Sequence, residues 1–156
     1  MKLYLAPLEG ITSYIYRKAL YQCFDGFDKY FIPFIRAKQN LNLSGREQKD
    51  ISPENNSGMY AVPQILTRNA DDFLRTANQL KEYGYQEVNL NLGCPSKTVV
   101  TKGCGAGFLA RPEELEQFLD RIFSKTDMKI SVKTRLGMEN AEEFPRLMEI
   151  YNRFPM

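Results

Sequence analysis

The sequence contains no histidine. Chemistry that rests on an imidazole base, a Ser-His-Asp triad or a histidine-ligated metal is therefore excluded for these residues. Cysteine is scarce as well. Cys23, Cys94 and Cys104 are too few and too irregularly spaced for a disulfide framework or a zinc knuckle, so no metal site is expected. An excess of one charge is missing: 21 Lys+Arg stand against 19 Asp+Glu, a formal net charge of +2, and no strong whole-chain field results. No apolar run approaches the roughly 18 residues of a membrane helix. The first residues meet Pro7 and Glu9 too early for a signal-peptide apolar stretch. A reducing, cytoplasmic location without a membrane partner is the expectation. Length is the last shortage. The 156 residues, 43% hydrophobic and 26% charged, suffice for one soluble domain with a core. A complete (β/α)₈ barrel takes about 250 residues and rarely fewer than about 200.

What is present alternates between short β-rich runs and longer helical patterns. Strands are expected at 3–6, 30–35, 60–66, 88–92 and 128–134, with Pro33 and Pro63 tolerable only near an irregularity or an end. A helix over 12–24 follows from Ile15, Ala19, Leu20 and Cys23 at helical spacing. Another opens at Asn69 with acids in its first turn, carries Phe73, Leu74, Ala77 and Leu80 inward, and stops at Gly84. Pro112 starts a third, with Leu115, Phe118, Leu119 and Ile122 as its apolar face. A last helix covers 142–153. Residues 41–58 read as a polar excursion and 93–107 as a long loop. Strand and helix at about 30-residue spacing are the signature of parallel βα units. An open doubly wound sheet and part of a (β/α)₈ barrel both fit.

In either architecture ligands bind at the carboxyl ends of the strands. Asn89-Leu90-Asn91-Leu92-Gly93-Cys94-Pro95 stands at such an end. A thiol there is a nucleophile when ionised and a proton donor when protonated, although a small buried space-filler is the commoner fate of free cysteine. Gly103, Gly105 and Gly107 alternate along the next segment and allow either a close backbone approach to a ligand or a flexible loop. Cys104, inside that run, is assigned no chemistry. Gln64, Lys133 and Arg135, Arg36, and Pro7-Leu8-Glu9-Gly10 occupy the matching ends of other strands. Lys133 suggests an anionic partner such as a phosphate, a reduced flavin or a carboxylate; an edge-strand charge or an ion pair with a neighbouring glutamate are its plainer explanations. Phe73, Phe118, Phe123 and Tyr151 read as core, while Tyr14, Tyr16 and Tyr21 read as core or rim packing rather than base stackers.

Five segments, in order, resemble the N-terminal part of bacterial tRNA-dihydrouridine synthases. They are Leu5-Ala6-Pro7-Leu8-Glu9-Gly10-Ile11-Thr12, Val62-Pro63-Gln64-Ile65, Val88 through Lys97 with its Asn-Leu-Gly-Cys-Pro-Ser-Lys string, Gly103-Cys104-Gly105-Ala106-Gly107-Phe108-Leu109, and Val132-Lys133-Thr134-Arg135-Leu136-Gly137. The resemblance implies a TIM (β/α)₈ barrel, here as about its first five βα units with the barrel not closed. It implies FMN at the carboxyl rim, NADPH as reductant, and reduction of specific tRNA uridines to dihydrouridine. Cys94 matches the general acid. Pro7, Leu8, Glu9, Gln64 and Lys133 match cofactor-binding positions, and Arg36, Asn91 and Arg135 match positions facing the tRNA. A related flavin barrel acting on a free pyrimidine fits the Gly93-Cys94-Pro95 loop less well.

By the same matching, residues 1–156 are expected to be the N-terminal portion of an FMN-binding catalytic domain. The later barrel strands, with a histidine and phosphate-binding loops, and a helical RNA-binding domain are then absent from them. An open sheet has two unpaired edges and exposed apolar surface. Edge-to-edge pairing with a second copy, or an inactive half-barrel module that self-associates, is the alternative expectation.

Overall fold

A computed structural model describes residues 1–24, 26–37 and 43–156. Its five strands are β1 (Tyr4–Leu5), β2 (Lys29–Arg36), β3 (Ala61–Leu66), β4 (Glu87–Leu92) and β5 (Lys129–Thr134). Every neighbouring pair is parallel, and the spatial order follows the chain, β1-β2-β3-β4-β5. A doubly wound sheet would reverse its order at a switch point. This one does not. The architecture is an open half-barrel of the (β/α)₈ type, with α1 (Tyr14–Cys23), α2 (Gly45–Ile51), α3 (Ala70–Glu82), α4 (Lys97–Val100), α5 (Pro112–Phe123) and α6 (Phe144–Tyr151) among its helices.

The helices form where local chemistry dictates. Asn69 caps α3 by accepting the Asp72 N–H at 3.0 Å, and the helix buries Phe73, Thr76, Ala77 and Leu80. Gly84, at φ +92, follows its end. Pro112 opens α5, which buries Leu115, Phe118, Leu119 and Ile122. In β4 the side chains alternate between two buried faces. Val88, Leu90 and Leu92 join the core beneath the helices, with Ile65, Ile130, Leu147 and Ile150. Glu87, Asn89 and Asn91 lie on the other, inner face. The β2–β3 register shifts between Ile32 and Ile35, which brackets Pro33. Pro63 instead pairs with Ile32 inside β3. Phe73, Phe118 and Tyr151 are buried and Phe123 is half-buried, as their spacing predicts.

Two elements differ from expectation. The helix over 12–24 turns its apolar stripe outward: Ile15 is 64% exposed, and Ala19 and Cys23 are exposed too. Its buried residue is Arg17. That guanidinium donates to the carbonyl oxygens of Thr12 and Asp50, both at 2.7 Å, and to Asn56 Oδ1 at 2.9 Å. The Asp50 carboxylate lies 3.7 Å away and accepts the Tyr14 N–H at 2.6 Å. Burial lowers the Arg17 pKa, with Asp50 opposing it. Tyr16 and Tyr21 are exposed, and Tyr21 stands edge-on to Tyr30 with centroids 5.9 Å apart.

The expected polar excursion over 41–58 holds α2 and a 3₁₀ turn, Pro53–Asn56; its residues 41 and 42 lie outside those described. Ser44 and Glu47 form a capping box, and the helix carries Asp50 and Ile51 into the interior. Only that last turn is buried, so no apolar period marks the helix in the sequence. The loop over 93–107 likewise contains α4, and a 3₁₀ turn, Gly105–Phe108, begins within it.

At the amino ends of the strands, Glu87 receives two bonds from Lys29 Nζ at 2.7 and 2.8 Å and one from the Tyr60 hydroxyl at 3.0 Å. Lys129 stands 3.7 Å away. Burial pushes the Glu87 carboxyl up, but hydrogen bonds from Lys29, Ser131 and Tyr60 outweigh it and hold the pKa below the ordinary value. The charge is thereby compensated at the end of the sheet opposite the strand ends that carry the candidate site.

Candidate active site

The inner face carries a directed run of hydrogen bonds toward the carboxyl rim. Register sets Gln64 of β3 beside Asn89 of β4. Asn89 Nδ2 donates to Ser131 Oγ at 2.9 Å, and Gln64 Nε2 donates to Asn89 Oδ1 at 2.7 Å. Asn91 Nδ2 donates to Gln64 Oε1 at 2.8 Å. Asn91 Oδ1 then accepts the backbone N–H groups of Gly93 at 3.2 Å and Cys94 at 3.0 Å. Gln64, Asn89 and Asn91 are all buried. The strand-end turn that presents Cys94 is thus held by a side chain two to three residues earlier. Cys94 itself is half-buried.

The glycine-rich segment closes on protein. Ala106 N–H donates to the Cys94 carbonyl at 3.0 Å, Gly107 N–H to Cys104, and Gly103 N–H to Val100. A Cβ at Gly107 would lie 2.7 Å from the Val100 carbonyl oxygen. These glycines permit a tight fit of the segment beneath the Cys94 turn and against α4, so the flexible-loop expectation fails. Cys104 is half-buried; burial pushes its thiol up, with Arg68, Arg36 and Lys102 pulling the other way.

Of the residues expected at the site, Gln64, Asn91 and Cys94 are joined by the bonds above. Gln64 sits within β3, two residues before its end. Lys133 pairs in register with Asn91 on the edge strand β5 and is exposed. Glu87 of the neighbouring strand pairs with Lys29 and Lys129, so the glutamate ion pair expected for Lys133 is not formed with it. The Arg135 stem lies 3.6 Å from the position of a Gly93 Cβ. Arg36 ends β2 with its guanidinium 5.2 Å from the Phe34 ring centroid. Pro7 is half-buried, and Leu8 and Glu9 are exposed in the loop after β1. Leu8 N–H donates to Thr12 Oγ1 at 2.9 Å, and its carbonyl accepts from Ile11 and Thr12, so its main chain is already engaged.

No site role was expected of Asn89 or Ser131. The signal for Asn89 was available: in β4, Glu87, Asn89 and Asn91 alternate with Val88, Leu90 and Leu92, which assigns them together to one face; Ser131 joins that face only through the β4–β5 register. A concavity of about 410 Å³ opens on that face between Tyr4, Phe31, Asn89, Ser131 and Lys133. Another, of about 260 Å³ and bordered by Tyr60, Tyr83, Tyr85 and Glu87, lies at the amino ends of the strands, away from these residues.

Comparison with known proteins gives this arrangement a context. The family model described as dihydrouridine synthase matches residues 4–153. The chain belongs to the dihydrouridine synthase family. It is 31% identical over 147 residues to a tRNA-dihydrouridine(16) synthase of Ralstonia nicotianae, covering 89% of this chain and 44% of that protein. A tRNA-dihydrouridine(16) synthase of Shigella flexneri is 32% identical over 151 residues, 92% of this chain and 47% of its own. A probable tRNA-dihydrouridine synthase of Staphylococcus aureus is 27% identical over 144 residues, 90% and 42% respectively. The chain therefore spans about half the length of the curated relatives it matches. Within the family, the five parallel strands are the partial barrel, and no helix among the described residues is long and apolar enough to cross a membrane.

Proposed function

We propose that this chain corresponds to the first five βα units of the catalytic barrel of an FMN-dependent, NADPH-driven tRNA-dihydrouridine synthase of the cytoplasm. Its reaction is the reduction of specific uridines in tRNA to 5,6-dihydrouridine. The observation that carries the reading is the Cys94 turn, pinned by Asn91 beside Gln64 at a carboxyl strand end.

The residues fit the ring edge of a flavin. Among the described residues, Gln64 Nε2 uses one of its two N–H groups and Oε1 one of its two acceptor sites, so each has one more for a ring that reaches this buried amide. Lys133 brings an exposed ammonium, suited to an electron-rich ring. Pro7 and Glu9 would border the ring through the main chain, and Leu8 would contribute its exposed side chain. The N–H groups of Gly103, Ala106 and Gly107 are spent on protein carbonyls, so the cofactor phosphate is not assigned to them.

FMN held there would, once reduced by NADPH, supply the hydride that C6 of the uracil takes. The Cys94 thiol gives its proton to C5, so that one hydride and one proton saturate the C5–C6 bond, and the thiolate regains a proton from solvent. Asn91 keeps one N–H for the nucleotide, since its oxygen is already occupied by two backbone donors. Arg135, lying over Gly93, and Arg36 meet the tRNA. The uridine must leave its stack to reach the rim. Among the described residues nothing favours edge-to-edge pairing with a second copy or an inert self-associating module.

The test is dihydrouridine formation in unmodified tRNA, with FMN and NADPH, by the protein carrying this sequence. Cys94→Ala is expected to lower product formation by about 10²-fold or more while NADPH is still consumed. Ordinary dihydrouridine yield from that variant would overturn the acid assignment.

A further inference from the structure

We propose that Asn89 is a positioning residue: together with Asn91 it clamps the Gln64 amide in one orientation, and through Gln64 it steadies the turn that presents Cys94. The clamp rests on the hydrogen bonds alone; only the roles of Gln64 and Cys94 rest on the reading above.

Backbone N–H groups can only donate. The N–H groups of Gly93 and Cys94 both point at one atom of Asn91, which must therefore be its oxygen. Asn91 Nδ2 then faces Gln64, and the Gln64 atom receiving it must be Oε1. Gln64 Nε2 is left facing Asn89, whose contacting atom must be Oδ1, 2.7 Å away. Asn89 Nδ2 donates to Ser131 Oγ, a hydroxyl that accepts here while its own O–H serves Glu87. A single pair of fixed donors thus dictates the polarity of three amides in succession.

Flipping any one of them would set donor against donor and acceptor against acceptor inside a buried face, where unmatched polar groups are costly. The geometry is intrinsic to the sheet. Asn89 and Asn91 are two apart in β4 and share its inner face, and register brings Gln64 between them. Asn91 grips the oxygen of Gln64 and Asn89 grips its nitrogen. Removing the lower grip frees the Gln64 amide to rotate, which withdraws the acceptor from Asn91 and loosens the turn above.

The decisive experiment compares Asn89→Leu with Asn89→Asp in the full chain by hydrogen exchange. Asp keeps an acceptor for Gln64 Nε2 and gives up the bond from Nδ2 to Ser131 Oγ; Leu keeps the branched shape and offers neither group. In Asn89→Leu the backbone N–H groups of Gly93 and Cys94 and the Gln64 side-chain NH₂ are expected to exchange at least about tenfold faster. The α3 amides of Ala77 and Leu80 should stay protected, which separates local release from unfolding. In Asn89→Asp all of these rates should lie within about twofold of the parent. Unchanged exchange in the Leu variant would overturn the clamp. So would equal acceleration in both variants, because packing rather than hydrogen-bond polarity would then be the cause. Asn89→Ala serves with the same expectation if the Leu variant does not fold. A parallel FMN titration, read by flavin fluorescence, tests the cofactor role separately. Weaker FMN binding by the Leu than by the Asp variant supports Gln64 as the ring contact. Equal affinities beside a clear exchange difference would uphold the clamp and overturn that contact.

Discussion

At Gly105 the backbone adopts φ +56, and a Cβ there would lie 2.8 Å from both the Cys94 carbonyl oxygen and Val99 Cγ1. The first of these neighbours is backbone and cannot swing aside. Gly105→Ala is therefore expected to cost about 1–3 kcal/mol, measured by the urea midpoint, and to displace the Cys94 turn. A change in the alkylation rate of Cys94 would report that displacement. Arg17 is the other residue whose replacement matters out of proportion to its size. Its fork joins Thr12, Asp50 and Asn56 within the interior. Arg17→Met leaves the Asp50 carboxylate without its buried partner, with an expected loss of about 3–5 kcal/mol in equilibrium unfolding.

At the scale of elements, the helices rely on caps to different degrees. Ser44 accepts from the Glu47 N–H and Glu47 reaches back to the Ser44 N–H, closing a seven-residue helix with little buried surface of its own. Ser44→Ala is expected to cost about 1 kcal/mol. Because α2 delivers Asp50 to Arg17, thermal melts should show Ser44→Ala and Arg17→Met as less than additive. Independent losses that sum fully would mean that α2 and the Arg17 network do not act together. Asn69→Ala, capping the longer and better buried α3, should cost about the same by itself and remain additive with Arg17→Met. The strand β4 behaves as two elements in one: an apolar edge for the helices and a polar edge for the site.

At the scale of the whole molecule, Glu87 and a set of tyrosines contribute to stability at opposite ends of the pH range. The Glu87 carboxyl has a folded pKa below its ordinary value, so between the two values the unfolded chain binds more protons. Stability from this group is present above about pH 4.3 and is lost as pH falls through the folded value. Tyr85 acts at the other end. Burial pushes its hydroxyl up to about 12, and the unfolded tyrosine releases its proton near the ordinary value of about 10. Its contribution is present below about 10 and lost as pH rises toward 12. Tyr60 and Tyr151 are raised by burial too and add to the alkaline loss. Urea midpoints followed across pH should fall at both ends. Glu87→Gln should flatten the acid fall and Tyr85→Phe the alkaline one, each at a lower starting stability because Lys29 or the Ile51 carbonyl loses its partner.

The sequence by itself determined the βα alternation, the buried faces of α3 and α5, and the position of Cys94 at a strand end. These are local matters of period, cap and breaker, and they survive whatever the chain packs against. It also carried the family, because the Asn-Leu-Gly-Cys-Pro segment and its companions are contiguous strings. Tertiary structure alone decided the strand order that makes a half-barrel rather than a doubly wound sheet, since both use the same local units. It turned α1 outward on its buried arginine, because Asp50 and Asn56 approach from 33 and 39 residues away. It gave Asn89 its partner, because a hydrogen bond between Gln64 and Asn89 exists only when two strands meet in one register. Polarity along a strand is written in the chain; which amide faces which is a property of the sheet.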